Sequence, residues 1–206
     1  LPEGLTIIMA GGDQQCAAIA LGVTKAGTAE ANTGTGSFVL AAVDKPIFDD
    51  ECRVLVQASA IPGKWIMEAG IFNTGATYRW FKEQFCKYLI DEPNSYEILN
   101  KEAAKSSIAA NGLIMIPHFH GSAAPFWNPR AKGLFFNISL DNTRGDFVRA
   151  IIEGVAIEIG HNIRLIQKLT GKINTVSVAG GMTRSDLFCD IQANIFNHKV
   201  ARYKNS

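Results

Sequence analysis

The sequence predicts an α/β fold, and three observations carry that prediction. Short apolar runs alternate with longer stretches of helical period along most of the chain. Glycine-rich turns join several of these runs to their neighbours. Within two β-rich blocks, polar and apolar residues alternate in part, as half-buried antiparallel strands require.

Taken in order, the apolar run Leu5-Thr6-Ile7-Ile8-Met9-Ala10 leads into Gly11-Gly12-Asp13-Gln14-Gln15, with a helix expected over 14–21. That places one carboxylate at the tip of a strand-to-helix turn whose glycines allow unusual backbone angles and close approach to a ligand. The first β-rich block covers 30–43, folded about Asn32-Thr33-Gly34-Thr35-Gly36-Ser37, a turn rich in backbone N–H and hydroxyl donors. Strands are expected at 53–59 and 65–71. A helix is expected over 73–89, where Tyr78, Phe81 or Trp80, Phe85 and Leu89 recur near a 3.6-residue period. A polar helical stretch at 95–110 leads to a strand at 113–116, stopped by Pro117. A loop at 121–132 precedes a strand at 133–140.

The longest helix follows Thr143-Arg144-Gly145-Asp146, which reads as a capping box with Asp in place of Glu or Gln. Phe147, Ile151, Val155, Ile159, Ile163, Ile166 and Leu169 then form an apolar stripe, a core-packing pattern, and Gly171 closes it as a left-handed cap. A strand at 173–179, a third glycine turn at Gly180-Gly181-Met182-Thr183-Arg184-Ser185, a helix over 185–196 and a strand at 199–203 complete the chain. One acid and three anion-friendly turns point to phosphoryl transfer.

Composition narrows the function. With 206 residues and 47% hydrophobic content there is ample material for a buried core in one domain or one and a half. Twenty basic and 19 acidic residues are scattered to a net charge of +1, which leaves no electrostatic footprint for nucleic acid or an anionic membrane. No apolar stretch approaches the roughly 20 residues that span a bilayer. Leu1-Pro2-Glu3-Gly4 has neither the basic start nor the apolar middle of a signal peptide, so the cytoplasm is the expected address. Cys16, Cys52, Cys86 and Cys189 are widely spaced and read as reduced thiols.

Each singled-out residue also has a plainer reading. Asp13 after two glycines could be a helix N-cap. Gly34-Thr35-Gly36 could be an ordinary hairpin turn, since it lacks both the G-x-x-x-x-G-K-[ST] loop and the full G-x-G-x-x-G fingerprint. His118 and His120 have no third ligand pattern and read as structural or cleft-lining, so no metal site is assigned. Trp127 is expected to pack its loop, and Glu153 to be buried and paired.

Together, Gly-Gly-Asp13-Gln-Gln, Asn-Thr-Gly-Thr35-Gly-Ser-Phe38, Glu68-Ala-Gly-Ile-Phe-Asn-Thr-Gly75-Ala, the segment Pro125 to Leu140 and Val-Ala-Gly180-Gly181-Met resemble the FGGY carbohydrate kinases over nearly the whole chain. The resemblance implies an actin-like, ribonuclease-H-like α/β fold and the C-terminal half of a two-domain sugar kinase. Residues 1–23 would end the sugar-binding domain and carry the catalytic Asp. Residues 24–206 would form the nucleotide-binding domain, short at its C-terminal end, with most of the first domain absent.

The same resemblance assigns roles. Asp13 would be the general base toward the acceptor hydroxyl, and Gln14 and Phe38 would contact the sugar or polyol. Gly34, Thr35 and Gly36 would cradle the β- and γ-phosphates of ATP without a lysine, with Mg²⁺ riding on the nucleotide. Gly75 and Arg79 would meet the nucleotide at a helix start, and Gly180, Gly181 and Ser185 would hold base and ribose. The chain departs from the glycerol kinase pattern at Arg79, where that pattern has Gln, and at Ser185, where it has Asn. The partners implied are ATP, a small sugar or polyol, and the remainder of the same protein, with a homodimer left open. A ketopentose such as xylulose leads as acceptor and glycerol stands second. A non-catalytic actin-like nucleotide-binding module, or an ATPase that opens and closes a cleft, remain alternatives.

Overall fold

The structure, a computed structural model, describes residues 3–6 and 11–203. Its elements are α1 (Asp13–Ala20), β1 (Thr28–Thr33), β2 (Ser37–Val43), β3 (Leu55–Ala58), β4 (Trp65–Ile71), α2 (Gly75–Phe85), α3 (Ser95–Lys105), β5 (Ile114–Ile116), β6 (Leu134–Phe136), α4 (Arg144–Thr170), β7 (Thr175–Ala179), α5 (Asp186–Phe196) and β8 (Lys199–Arg202). Six strands form one sheet in the order β3-β4-β2-β1-β7-β8. Pairing is antiparallel from β3 to β1 and parallel from β1 through β7 to β8. Strands β5 and β6 pair apart from it.

The two faces of this sheet are covered unequally. On one, Ala29, Ala31, Val39, Ala41, Met67 and Ala69 pack in a continuous core with Ile151, Val155, Ile159 and Ile163 of α4. Each such isoleucine buried from water contributes about 1.5–3 kcal/mol. The other face carries the short α1, where Ala18 and Val23 meet Leu40, Ala42 and Ile66, with Phe38 at the margin. Ser177 on β7 donates its hydroxyl to the Leu21 carbonyl (2.7 Å), tying the end of α1 to the sheet.

The long helix begins as its sequence requires. The Thr143 hydroxyl accepts from the Asp146 amide (3.3 Å), and the Asp146 carboxylate accepts from the Thr143 amide (2.7 Å), closing the capping box. Burial alone would raise the Asp146 carboxyl, but hydrogen bonds from Ser106, Thr143 and Asn111 outweigh it and hold the group below its ordinary value.

Several boundaries differ from expectation, each for a local backbone reason. The helix expected over 73–89 runs Gly75–Phe85, because Cys86 leaves helical angles (φ −127°, ψ 45°) and Lys87–Leu89 form a separate 3-10 turn. The one expected over 95–110 stops at Lys105, where Ser106 is extended. The strand expected at 133–140 spans only Leu134–Phe136, beyond which Asn137 takes a positive φ of 65°. Gly171 has the positive φ expected of it (93°), but its ψ of −150° is not left-handed helical. A 3-10 turn, Gly181–Arg184, precedes α5. Residues 7–10 of the apolar run before Gly11 lie outside the described residues. No described helix is long and apolar enough to cross a membrane.

Candidate active site

The β1–β2 turn is clamped to the start of α2. The Thr74 and Ala76 amides both donate to the Thr35 carbonyl (3.0 Å each), and the Gly75 amide donates to the Gly34 carbonyl (3.1 Å). Beneath them the buried Ser37 hydroxyl donates to Thr74 Oγ1 (2.9 Å). Two glycines make this approach possible. A Cβ on Gly75 would overlap the Gly34 carbonyl, and one on Gly36 would lie 2.6 Å from the Ile71 carbonyl oxygen. Gly180, at φ 96°, sits against the Thr33 carbonyl in the same way. By contrast, a Cβ on Gly181 would meet nothing within 4 Å.

These turns open onto a cleft of about 820 Å³ whose walls include Gly34, Thr35, Gly75, Arg79, Gly181 and Ser185. Six of the eight residues expected at a nucleotide are therefore brought together from three separate stretches of chain. The other two, Gly36 and Gly180, shape the turns from behind. Ser185 spends one lone pair as N-cap of α5, accepting from the Phe188 amide (3.3 Å). Arg202 steadies the 181–184 turn by donating to the Thr183 carbonyl (2.9 Å) while pairing with Asp186 (2.8 Å).

The α3 wall of the cleft was not anticipated. Tyr96, Asn100 and Ala104, spaced by four residues, face the cavity together with Tyr78 of α2. The Tyr78 hydroxyl donates to Asn100 Oδ1 (2.9 Å), Tyr96 meets the Tyr78 ring edge-on at 5.1 Å, and Lys82 sits 4.7 Å from the Tyr96 ring centre. The sequence signal is the i, i+4 spacing of Tyr96 and Asn100 within the polar helical stretch. The carboxylates at the cleft are paired, Glu97 with Lys101 (2.7 Å) and Asp186 with Arg202. Among the described residues no group of three or more His, Cys, Asp or Glu is placed to hold a metal ion.

Asp13, Gln14 and Phe38 do not line this cleft. They belong to the α1 face of the sheet, where Phe38 shares its side with Leu40 and Ala42. Gly12 is the N-cap and Asp13 the exposed first residue of α1, its Oδ1 accepting from the Gln14 amide (2.8 Å). The surroundings are acidic. Glu30, fully buried, is pushed up to about 7 by burial and then by the charge of Glu68. Glu68 is itself raised, first by burial, against a hydrogen bond from Gln57, with the Asp13 charge adding to the rise.

The remaining candidates have local partners. His118 Nε2 lies 3.1 Å from Glu158, and His120 Nδ1 lies 2.8 Å from Asn73 Oδ1. Trp127 donates its indole N–H to the Arg53 carbonyl (3.2 Å), and Glu153 pairs with Arg149 (2.7 Å). All four cysteines are free thiols.

Comparison with known proteins identifies the family and the fold. Residues 29–206 match the FGGY family of carbohydrate kinases, C-terminal domain. The chain is 28% identical over 205 residues to a xylulose kinase of Staphylococcus epidermidis, covering all of this chain and 40% of that protein. It is 33% identical over 198 residues to a glycerol kinase of Saccharolobus islandicus, covering 94% of this chain and 38% of that one. Among solved structures, xylulose kinase from Rhodospirillum rubrum superposes with a TM-score of 0.84 at 25% identity, over 98% of this chain and 40% of the other. Glycerol kinase from Plasmodium falciparum, solved with ADP, gives 0.81 at 25% identity over 94% and 38%. The fold is thus the actin-like α/β fold expected, and the chain spans about 40% of the length of these relatives.

Proposed function

The chain belongs to the FGGY family of carbohydrate kinases, and we propose that it forms the nucleotide-binding portion of an ATP-dependent sugar or polyol kinase, with a ketopentose such as xylulose as acceptor. The observation that carries this reading is the cleft itself, where Gly34, Thr35, Gly75, Arg79, Gly181 and Ser185 converge from distant parts of the chain. In it, backbone N–H groups and the Thr35 hydroxyl would hold the β- and γ-phosphates, and the α3 wall would face base and ribose.

Residues up to 23 would end the sugar-binding domain, and 24–206 would be the nucleotide domain. Asp13 would accept the proton of the acceptor hydroxyl as that oxygen attacks the γ-phosphorus and the bond to the β-γ bridging oxygen breaks, leaving ADP. The loose transition state of phosphoryl transfer asks this carboxylate mainly for orientation and late proton acceptance. Gln14 and Phe38 would steer the acceptor beside it. Mg²⁺ would arrive on the nucleotide phosphates. Supplied that way, it would neutralise phosphate charge.

Glycerol as acceptor is the second reading, favoured by the 33% identity to an archaeal glycerol kinase. A phosphorylation panel of ketopentoses, hexoses and polyols with the complete protein and ATP tests both. Phosphate transfer to xylulose above all other acceptors is the expected result. Preference for glycerol would select the second reading, and ATP hydrolysis indifferent to every acceptor would replace both with a nucleotide-binding ATPase.

A further inference from the structure

The turn that carries Asp13 is braced from outside its own helix. Gln15 Nε2 donates to Gln57 Oε1 on β3 (2.6 Å), and Gln57 Nε2 donates to the Glu68 carboxylate on β4. The order of these bonds is dictated by chemistry. Glu68 accepts from the NH₂ end of the Gln57 amide, as a carboxylate in its ionised form must. The carbonyl end of Gln57 must then face Gln15, which can answer only with its own NH₂.

Gln15 is left with its oxygen curled back over Gly12, and a Cβ on Gly12 would collide with it. A second contact acts on the same turn. Gly11 lies so close to the β3–β4 turn that a Cβ there would stand 2.9 Å from the Ala60 Cβ. The Asp13 charge is also felt at Glu68.

We infer that Glu68 and Gln57 are positioning residues for catalysis, holding through Gln15 the turn that presents the Asp13 carboxylate to its acceptor. The inference rests on the proposed role of Asp13 as the base. It assigns a function in the reaction to the β3–β4 hairpin, which lies outside the nucleotide cleft. It also gives Gly12 a reason unrelated to backbone angle, since its φ of −64° and ψ of 159° suit any residue. Gly12 leaves room for the Gln15 amide in its present rotamer.

Steady-state kinetics of the complete protein, with ATP and the acceptor chosen by the panel, tests this. Gln57→Leu should lower kcat by about 10- to 100-fold, as a misplaced reacting group does, with KM for ATP within about twofold of the original. Glu68→Leu should behave alike, and Glu68→Gln, whose amide oxygen can still accept the Gln57 N–H, should recover most of that loss. Gly12→Ala, at an exposed position with permissive angles, should reproduce the kcat defect even if the Gln57 variant does not fold.

Asp13→Asn run in parallel separates the two claims. If it is inactive while Gln57→Leu and Gly12→Ala turn over at the original kcat, the relay has no positioning role and the base assignment stands. The relay is equally refuted if Glu68→Gln is as impaired as Glu68→Leu. If Asp13→Asn is itself active, the assignment of the base is wrong and the inference falls with it.

Discussion

The two faces of the central sheet are built on opposite principles. The face under α4 is mostly apolar, with a 27-residue helix laid across it that also buries Asn162 and Arg149. The face under α1 holds a helix of eight residues with one buried side chain, Ala18, and beside the apolar Leu40, Ala42 and Ile66 it carries Glu30, Glu68, Gln57 and, on the helix itself, Gln15. Burying carboxylates there opposes folding, because charge is desolvated without full repayment by hydrogen bonds. The buried carboxylates therefore weigh against stability on the α1 side, and the larger apolar core lies on the α4 side.

Breaking the aliphatic side should have the largest effect. Ile159→Ala, which opens a cavity at a fully buried position, should cost about 2–5 kcal/mol in denaturant unfolding. A loss below the level of a surface substitution would show that α4 does not carry the core.

The acidic face should reveal itself through pH. Glu30 ionises near 4.5 when unfolded and about 7 when folded. Between these values the folded state keeps a proton that the unfolded state releases. Its contribution is therefore fully present below pH 4.5, declines as pH rises, and is lost above about 7. The decline should be on the order of 3 kcal/mol, and Glu30→Gln should flatten that part of the stability profile. An unchanged slope in the variant would mean that Glu30 ionises as an exposed acid does.

The glycines sharpen the comparison at the cleft. Gly75→Ala drives a methyl into the Gly34 carbonyl and should destabilise by about 1–3 kcal/mol while weakening ATP binding in a calorimetric titration. Gly181→Ala, with open space before it, should change stability by no more than about 0.5 kcal/mol. Equal effects from the two would contradict the distinction between a glycine that permits close packing and one that borders a ligand.

What could be read from the letters follows the same division. The α4 helix was legible at both ends because Thr143, Asp146 and the isoleucine stripe are local signals with a fixed period. The turns at 34–36 and 180–181 were legible because glycine marks them and because the whole set of motifs occurs in family order. The i, i+4 spacing of Tyr96 and Asn100 is present in the sequence, but only the tertiary placement of α3 gives that stripe a cavity to face. The amide relay was not legible, because it joins Gln15 to Gln57 across 42 residues with no periodicity to announce it. The early end of the helix at Lys105 and the short β6 depend on single backbone angles at Ser106 and Asn137, which tertiary context sets.

The proposed kinase would divide its labour, holding nucleotide in the cleft and supplying proton transfer from the α1 face. The most direct measurement is the initial rate of ATP-dependent acceptor phosphorylation by the complete protein carrying Asp13→Asn, at saturating ATP. The account predicts a fall of about 10²- to 10⁴-fold, the scale of a lost general base. A rate within a few fold of the original would contradict it.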